Sequence, residues 1–163
     1  PLSSCKSDKV VLGVVKELDH FPKIKDYSAE LLIVSQERQF KLDEPASFIF
    51  KFTNLSKKRL IIYEWMMIDD YNVAFRVAAW TEGQPVPPPA SFIQVMPEIK
   101  KPARRMTLDL GEGNATIVEK RLDFKKDVIK GSIDKPQTFL VYGELNLESI
   151  SVKTAPTKVT IYP

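Results

Sequence analysis

The side chains that most often carry catalysis are scarce in this sequence. It contains one cysteine, Cys5, and one histidine, His20. No disulfide can form within the chain, and the two residues together supply fewer ligands than a zinc site requires. A Ser-His-Asp triad would have to use His20, which lies in the connector-like sequence LDHFP. These counts argue against an enzyme that depends on cysteine or histidine chemistry.

The remaining candidates for a metal or acid–base site are two aspartates and the methionines. Asp69 and Asp70 are adjacent in MMIDDYN, and neighbours on a strand point to opposite faces, which does not suit a general acid–base pair. The DxDxDG loop that calcium favours is absent. Methionines can bind copper, but they are also typical core fillers. We therefore predict no metal, no organic cofactor and no catalytic residue. The four methionines are Met66, Met67, Met96 and Met106.

A stretch of aromatic residues and prolines is the best candidate for a binding surface. Trp80 alternates opposite to Phe75 and Val77, so its side chain is predicted to face outward. A glycine turn, TEGQ, follows it, and then PVPPP, which favours polyproline II geometry and cannot pair in a central strand. Exposed apolar clusters tend to mark interfaces. We predict a partner-binding segment here. Its residues are Trp80, Pro85, Val86, Pro87, Pro88 and Pro89.

Short strands must position this segment. Phe48, Phe50 and Phe52 alternate with other residues, which places three phenylalanines on one face of a strand. Residues 54–58 form a polar turn, and residues 59–65, RLIIYEW, are a second apolar, β-branched run. We predict that these two runs form the central hairpin of an antiparallel sheet with one apolar face.

The rest of the chain continues this pattern of short strands and turns. SFIQVM is predicted to be an edge strand, MTLDL alternates with Leu108 and Leu110 inward, and GEGN is a turn. TFLVYGELNL is predicted to be a strand with a glycine bulge at Gly143. The pattern looks like an all-β fold, an antiparallel immunoglobulin-like β-sandwich of about eight or nine strands. The 163 residues suit one such domain over 10–163, after an N-terminal segment 1–9.

The net charge does not favour nucleic-acid binding, and the hydropathy does not favour a membrane-spanning segment. The net charge of +3 is too small to argue for nucleic acid. No apolar run approaches the roughly 20 residues that cross a bilayer. Residues 98–130 hold nine Lys/Arg against six Asp/Glu. This local bias is compatible with a solvated loop and with a surface for an acidic partner.

The N-terminus carries a short motif of its own. Residues 2–5, LSSC, resemble a bacterial lipobox: a branched apolar residue, two small residues and the cysteine that bears the lipid. The resemblance implies that Cys5 is lipidated, that residues 1–4 are a signal-sequence remnant and that residues 6–9 begin a polar tether. It places the protein in the bacterial cell envelope, with the membrane contacted through this lipid only. Lys6 replaces the aspartate that retains enterobacterial lipoproteins in the inner membrane, which favours the outer membrane for a Gram-negative source.

The middle of the chain resembles a second family. Residues 40–64, FKLDEPASFIFKFTNLSKKRLIIYE, are similar to bacterial BsuPI intracellular proteinase-inhibitor domains, in which an apolar strand, an asparagine, a polar turn and an apolar strand recur. Two functions follow. We favour a non-enzymatic, lipid-anchored module that binds another envelope protein in envelope assembly, secretion or adhesion. The alternative is a proteinase inhibitor that presents residues 85–89 as a stiff loop, because preorganisation lowers the entropy cost of binding.

Overall fold

The structure is a computed structural model that describes residues 9–12, 27–33, 39–62, 73–95, 108–147 and 150–163. These residues form twelve short β-strands and two helical turns, a 3-10 turn at Pro89–Ser91 and a π-helical turn at Lys125–Ile129. The predicted all-β fold is confirmed, with more and shorter strands than the eight or nine expected. In chain order the strands are β1 Lys9–Leu12, β2 Tyr27–Ile33, β3 Gln39–Lys41, β4 Ala46–Asn54, β5 Arg59–Ile62, β6 Val73–Ala79, β7 Ile93–Val95, β8 Leu108–Leu110, β9 Ala115–Leu122, β10 Gln137–Leu147, β11 Ile150–Lys153 and β12 Thr157–Tyr162.

The described strands form three hydrogen-bonded sheets. The largest has six strands in the order β3-β12-β10-β6-β7, with β11 also pairing with β10. The other two have the orders β2-β4-β9 and β1-β5-β8. Most pairs are antiparallel, as predicted, but β1 with β5 and β12 with β3 are parallel. The predicted edge strand in SFIQVM is confirmed, because β7 ends the six-stranded sheet. Neither helical turn has the length and apolar composition of a membrane-spanning helix.

The predicted central hairpin of β4 and β5 is wrong. β4 pairs with β2 and β9, whereas β5 pairs with β1 and β8. The polar segment after β4 therefore turns a corner from one sheet to another instead of reversing the chain. Residues 111–114 likewise connect β8 in one sheet to β9 in another. The result is one two-stranded antiparallel ribbon, β4–β5 against β8–β9, that passes from one sheet into another.

Asn54 is the side chain that holds this corner. It is fully buried, although its sequence context is polar. Its Nδ2 donates to the Lys58 carbonyl at 2.8 Å and to the Leu110 carbonyl at 3.0 Å. Its Oδ1 accepts from the Ser56 N–H at 3.0 Å. A buried amide is tolerated because these three hydrogen bonds satisfy it.

The facing corner is a glycine turn, as predicted. The Asn114 N–H donates to the Gly111 carbonyl at 3.1 Å, and Gly113 has a φ of 75°, which glycine adopts without strain. The backbone N–H of Asn54 donates to Asn114 at 3.0 Å, and the Gly113 N–H donates to the Asn54 carbonyl at 2.7 Å. The two corners are thus hydrogen-bonded to each other.

The main core lies between β4 and the six-stranded sheet. The alternation of β4 buries its phenylalanines, and the Phe48 ring lies 5.3 Å from the Phe75 ring of β6. The Phe124 and Phe139 rings also lie 5.3 Å apart. From the alternation of the strands we predict one core that joins their inward-facing residues, and it is confirmed as one cluster with the half-buried Leu108 at its margin. Its other predicted members are Phe48, Phe50, Phe52, Phe75, Val77 and Val141.

Candidate functional site

The outer face of the six-stranded sheet carries a second, smaller apolar cluster. Leu140 and Tyr142 alternate along β10 with the core residues Phe139 and Val141, so they face away from the main core. Because β10 carries apolar side chains on both faces, other parts of the protein must cover both faces. We call this group the outer cluster. Its members are Ala78, Trp80, Phe92, Leu140 and Tyr142.

Residues 85–92, which we call the proline segment, cover the outer cluster. Pro88 has φ −63° and ψ 154°, the polyproline II geometry that was predicted. Pro89 then begins the 3-10 turn, in which the Ser91 N–H donates to the Pro88 carbonyl at 2.9 Å. The turn places Phe92 on the sheet, with its ring 5.0 Å from the Tyr142 ring in an edge-on arrangement. Phe92 therefore anchors the proline segment.

Trp80 supports this segment from its other end. Its side chain lies on the outward face, as the alternation predicts, but it is half-buried rather than exposed. Its Nε1 donates to the Gln84 carbonyl at 3.1 Å, within a turn that the Gln84 N–H closes on Thr81 at 3.1 Å. The Lys158 ammonium lies 5.6 Å from the centroid of the indole ring, a cation–π distance. Trp80 braces the turn that leads into the prolines, which is why it is not freely exposed.

The proline segment itself lies at the surface. Val86 is 59% exposed, and Pro85, Pro88 and Pro89 are also exposed, whereas Pro87 is half-buried. An apolar side chain held between prolines on the outside of a domain is suited to contact with another molecule. That such a contact occurs stays a prediction.

A groove of about 270 Å³ lies between the proline segment and the end of β11. Pockets for drug-sized ligands typically measure about 300–1,000 Å³, so this groove suits one or two side chains of a larger partner. Its lining joins the predicted segment to residues from β10, β11 and the stretch that follows β11. The residues that line the groove are Val86, Pro87, Pro89, Phe92, Tyr142, Lys153, Thr154 and Pro156.

Thr154 brings an aliphatic hydroxyl group to the groove, and this hydroxyl already makes hydrogen bonds within the domain. Its Oγ1 accepts from the Gly143 N–H at 2.9 Å and donates to the Ala155 carbonyl at 3.2 Å, and its N–H donates to the Gly143 carbonyl at 2.9 Å. These bonds hold the chain where β10 changes partner from β12 to β11. The register of β10 with β6 runs unbroken through Gly143, so the predicted bulge is wrong on that side. The Thr154 hydroxyl is structural and is not free to act as a nucleophile.

A partly buried ion pair lies on the same face of the sheet. Arg76 Nε donates to Glu144 Oε2 at 2.9 Å, and Asn146 Nδ2 donates to Glu144 Oε1 at 3.0 Å. Burial raises the pKa of Glu144, but the hydrogen bonds from Asn146 and Arg76 and the positive charges of Arg76 and Lys153 outweigh it. The pKa of Glu144 therefore lies below its ordinary value, and the carboxylate is ionised at neutral pH.

A second cavity, of about 400 Å³, lies beside the π-helical turn, where Asp123, Lys125 and Lys126 line it. Asp123 Oδ1 accepts from the Lys126 N–H at 3.0 Å, and the side chains of Lys125 and Lys126 are exposed. These contacts fit a solvated turn, and we assign no function to this cavity.

Several residues considered in the sequence lie outside the described ranges. Among the residues that are described, no three His, Cys, Asp or Glu side chains are grouped so that they could hold a metal ion. The predicted lipid-bearing residue is among those not described. The residues outside the ranges are Cys5, His20, Trp65, Met66, Met67, Asp69, Asp70, Met96 and Met106.

Comparisons with known proteins identify no family. No protein-family model and no curated protein matches the chain. A β-glucosidase from Listeria innocua in complex with glucose aligns with 84% of this chain at 12% identity and a TM-score of 0.45, but the chain spans 16% of its length. The sporulation control protein Spo0M from Bacillus subtilis aligns with 85% of this chain and 50% of its own, at 6% identity and a TM-score of 0.46. The CARDB domain of a Pyrococcus furiosus protein in complex with di-metal ions aligns with 89% of this chain and 97% of its own, at 11% identity and a TM-score of 0.35. At these values the similarities indicate no function for this chain.

Proposed function

We propose that this domain is a non-enzymatic protein-interaction module, held at the bacterial cell envelope by a lipid on Cys5. The proposed role in protein binding is supported by the position of the proline segment. It sits on the outer cluster, anchored by Phe92, and presents Val86 beside an apolar groove. The lipid part is supported by the resemblance of LSSC to a lipobox.

The proline segment suits binding because little of it has to be ordered when a partner arrives. Prolines restrict the backbone, Phe92 fixes one end, and the Trp80 indole fixes the turn at the other end. A preorganised loop loses less conformational entropy on association than a flexible one. The exposed Val86 can then be buried against a partner at small cost.

Replacing Val86 with aspartate should weaken partner capture at least about tenfold, because a charge would be buried in the interface; tenfold corresponds to about 1.4 kcal/mol. The free energy of unfolding should change by less than about 0.5 kcal/mol, as is usual for surface substitutions. The matched control is Ile117→Asp, because Ile117 is similarly exposed at 63% but lies on β9 in another sheet. Capture from envelope extract, quantified by mass spectrometry, measures the effect.

Equal capture by wild type and Val86→Asp would contradict the proposed interface, and so would an equal loss in Ile117→Asp. If the captured partner is a protease whose activity falls on binding, the BsuPI-type inhibitor alternative takes the place of an assembly, secretion or adhesion role. Protease assays with the purified domain therefore accompany the capture experiment.

Changing Cys5 to serine in the full precursor should move the protein from the membrane fraction to the soluble fraction. Each buried CH₂ of a lipid chain contributes about 0.8 kcal/mol, and stable anchoring requires more than one chain. Lys6, directly after the cysteine, would add attraction to anionic headgroups. Fractionation after expression in a Gram-negative bacterium, with separation of inner and outer membranes, measures the location. A control is Ser7→Ala, which leaves the motif intact. Equal partitioning of wild type and Cys5→Ser, with no lipid mass on the N-terminal peptide, would refute the anchor.

A further inference from the structure

The groove beside the proline segment has rigid apolar walls. Pro87 and Pro89 line it on the side of the proline segment, and Pro156 lines it beyond β11. The rings of Phe92 and Tyr142, which contact each other edge-on, also line it. Restricted prolines and packed rings make this shape present before any partner binds. The groove can therefore take an apolar side chain without first rearranging.

Lys153 is the charged residue that lines the groove, and the acidic side chains on this face already bind other residues. Both oxygens of Glu144 accept hydrogen bonds, from Arg76 and Asn146, and Glu82 is paired with Lys158. Lys153 lines the groove and is the cross-strand neighbour of Glu144 on β10. With the carboxylates of the described residues, the Lys153 ammonium forms no ion pair. Its positive charge acts on the Glu144 carboxylate and lowers the pKa of that group. Because the ammonium makes no salt bridge there, it can still pair with a carboxylate of a partner at the edge of the apolar surface.

We propose that the groove binds a peptide segment of the partner in which an apolar side chain is followed by an aspartate or glutamate, with the carboxylate facing Lys153. This inference rests on the proposed function, because it names the chemistry of the partner that contacts the proline segment. The apolar side chain fills the groove, and the charge selects the segment, since electrostatic complementarity contributes more to specificity than to affinity. The small volume fits a side chain of a protein rather than a whole small-molecule ligand.

The test uses two blocked peptides, acetyl-Gly-Phe-Asp-Gly-amide and acetyl-Gly-Phe-Asn-Gly-amide, which differ by one charge. Titration into the ¹⁵N-labelled domain should shift the amide signals of Phe92, Tyr142, Lys153 and Thr154. The aspartate peptide should bind about two- to fivefold more tightly, the effect of an exposed ion pair. Lys153→Gln should abolish this preference and leave the affinity for the asparagine peptide unchanged. Lys125→Gln, which removes an exposed lysine at the other cavity, should keep the preference.

Several results would overturn the assignment. These are equal affinities of wild type for both peptides, signal shifts away from the groove, or a preference that survives in Lys153→Gln. A third titration, with sodium octanoate, covers the lipid case: if octanoate shifts the same signals and binds more tightly than the aspartate peptide, the occupant is a fatty carboxylate and the peptide proposal is wrong. The proposed function fails separately, when Val86→Asp keeps full partner capture. Loss of capture in Val86→Asp together with an unchanged preference in Lys153→Gln would refute only the charge assignment.

Discussion

Replacement of Phe50 with alanine is expected to lower the free energy of unfolding by about 3–5 kcal/mol. The side chain is 1% exposed and belongs to the main core. Its backbone is held on both sides, opposite Leu31 of β2 and Val118 of β9. A central strand cannot shift to fill the cavity, so the full cost of the lost contacts should be measured. Urea denaturation followed by far-UV circular dichroism gives the free energy.

The matched control for Phe50 is an apolar residue of the same sheet that is exposed. Ile117 on β9 is 63% exposed, and Ile117→Ala should change stability by less than about 0.5 kcal/mol. A neutral effect of Phe50→Ala would contradict the inward register of β4. A loss of similar size in both variants would mean that the two faces of this sheet are not distinguished by burial.

The faces of the strands could be predicted from the sequence, because side-chain alternation depends only on the local period of two. Phe48, Phe50 and Phe52 are buried for this reason whatever their strand pairs with. The pairing of strands could not be predicted in the same way. The corner after β4 depends on a bond from Asn54 to Leu110, a residue 56 positions further along the chain. Nothing within NLSKK distinguishes such a corner from a hairpin turn.

Of the residues at the candidate site, only those of the proline segment could be predicted from the sequence. Prolines restrict the backbone locally, so the extended geometry at Pro88 could be inferred from composition. Tyr142 and Lys153 reach the groove through the pairing of β10 with β6 and β11, which is long-range information. One signal was present in FLVYGEL: its run of apolar residues without alternation indicates a strand covered on both faces. The half-buried state of Trp80 follows from that second covered face.

Replacement of Asn54 with alanine should cost about 2–4 kcal/mol, although the change removes only a small polar side chain. The carbonyls of Lys58 and Leu110 and the N–H of Ser56 would lose their partner at a buried corner. An ordinary hydrogen bond contributes about 0.5–1.5 kcal/mol, and a buried polar group left without a partner costs about 1–3 kcal/mol. The control is Asn114→Ala in the facing corner, where the side chain is exposed and the loss should stay below about 1 kcal/mol.

Asn54→Asp separates the hydrogen-bonding role from simple packing, because aspartate has nearly the same shape. An ionised carboxylate can still accept from Ser56 but cannot donate to the carbonyls of Lys58 and Leu110. Burial would raise the pKa of this aspartate in the folded state above its unfolded value of about 3.9. The folded state then binds the proton more tightly, so the variant should lose stability relative to wild type as the pH rises from about 3.9 through the raised folded-state pKa. Urea denaturation of both proteins between acid and neutral pH measures this difference. A deficit that does not depend on pH, or none at all, would mean that the Asn54 amide does not hold the corner through its donated hydrogen bonds.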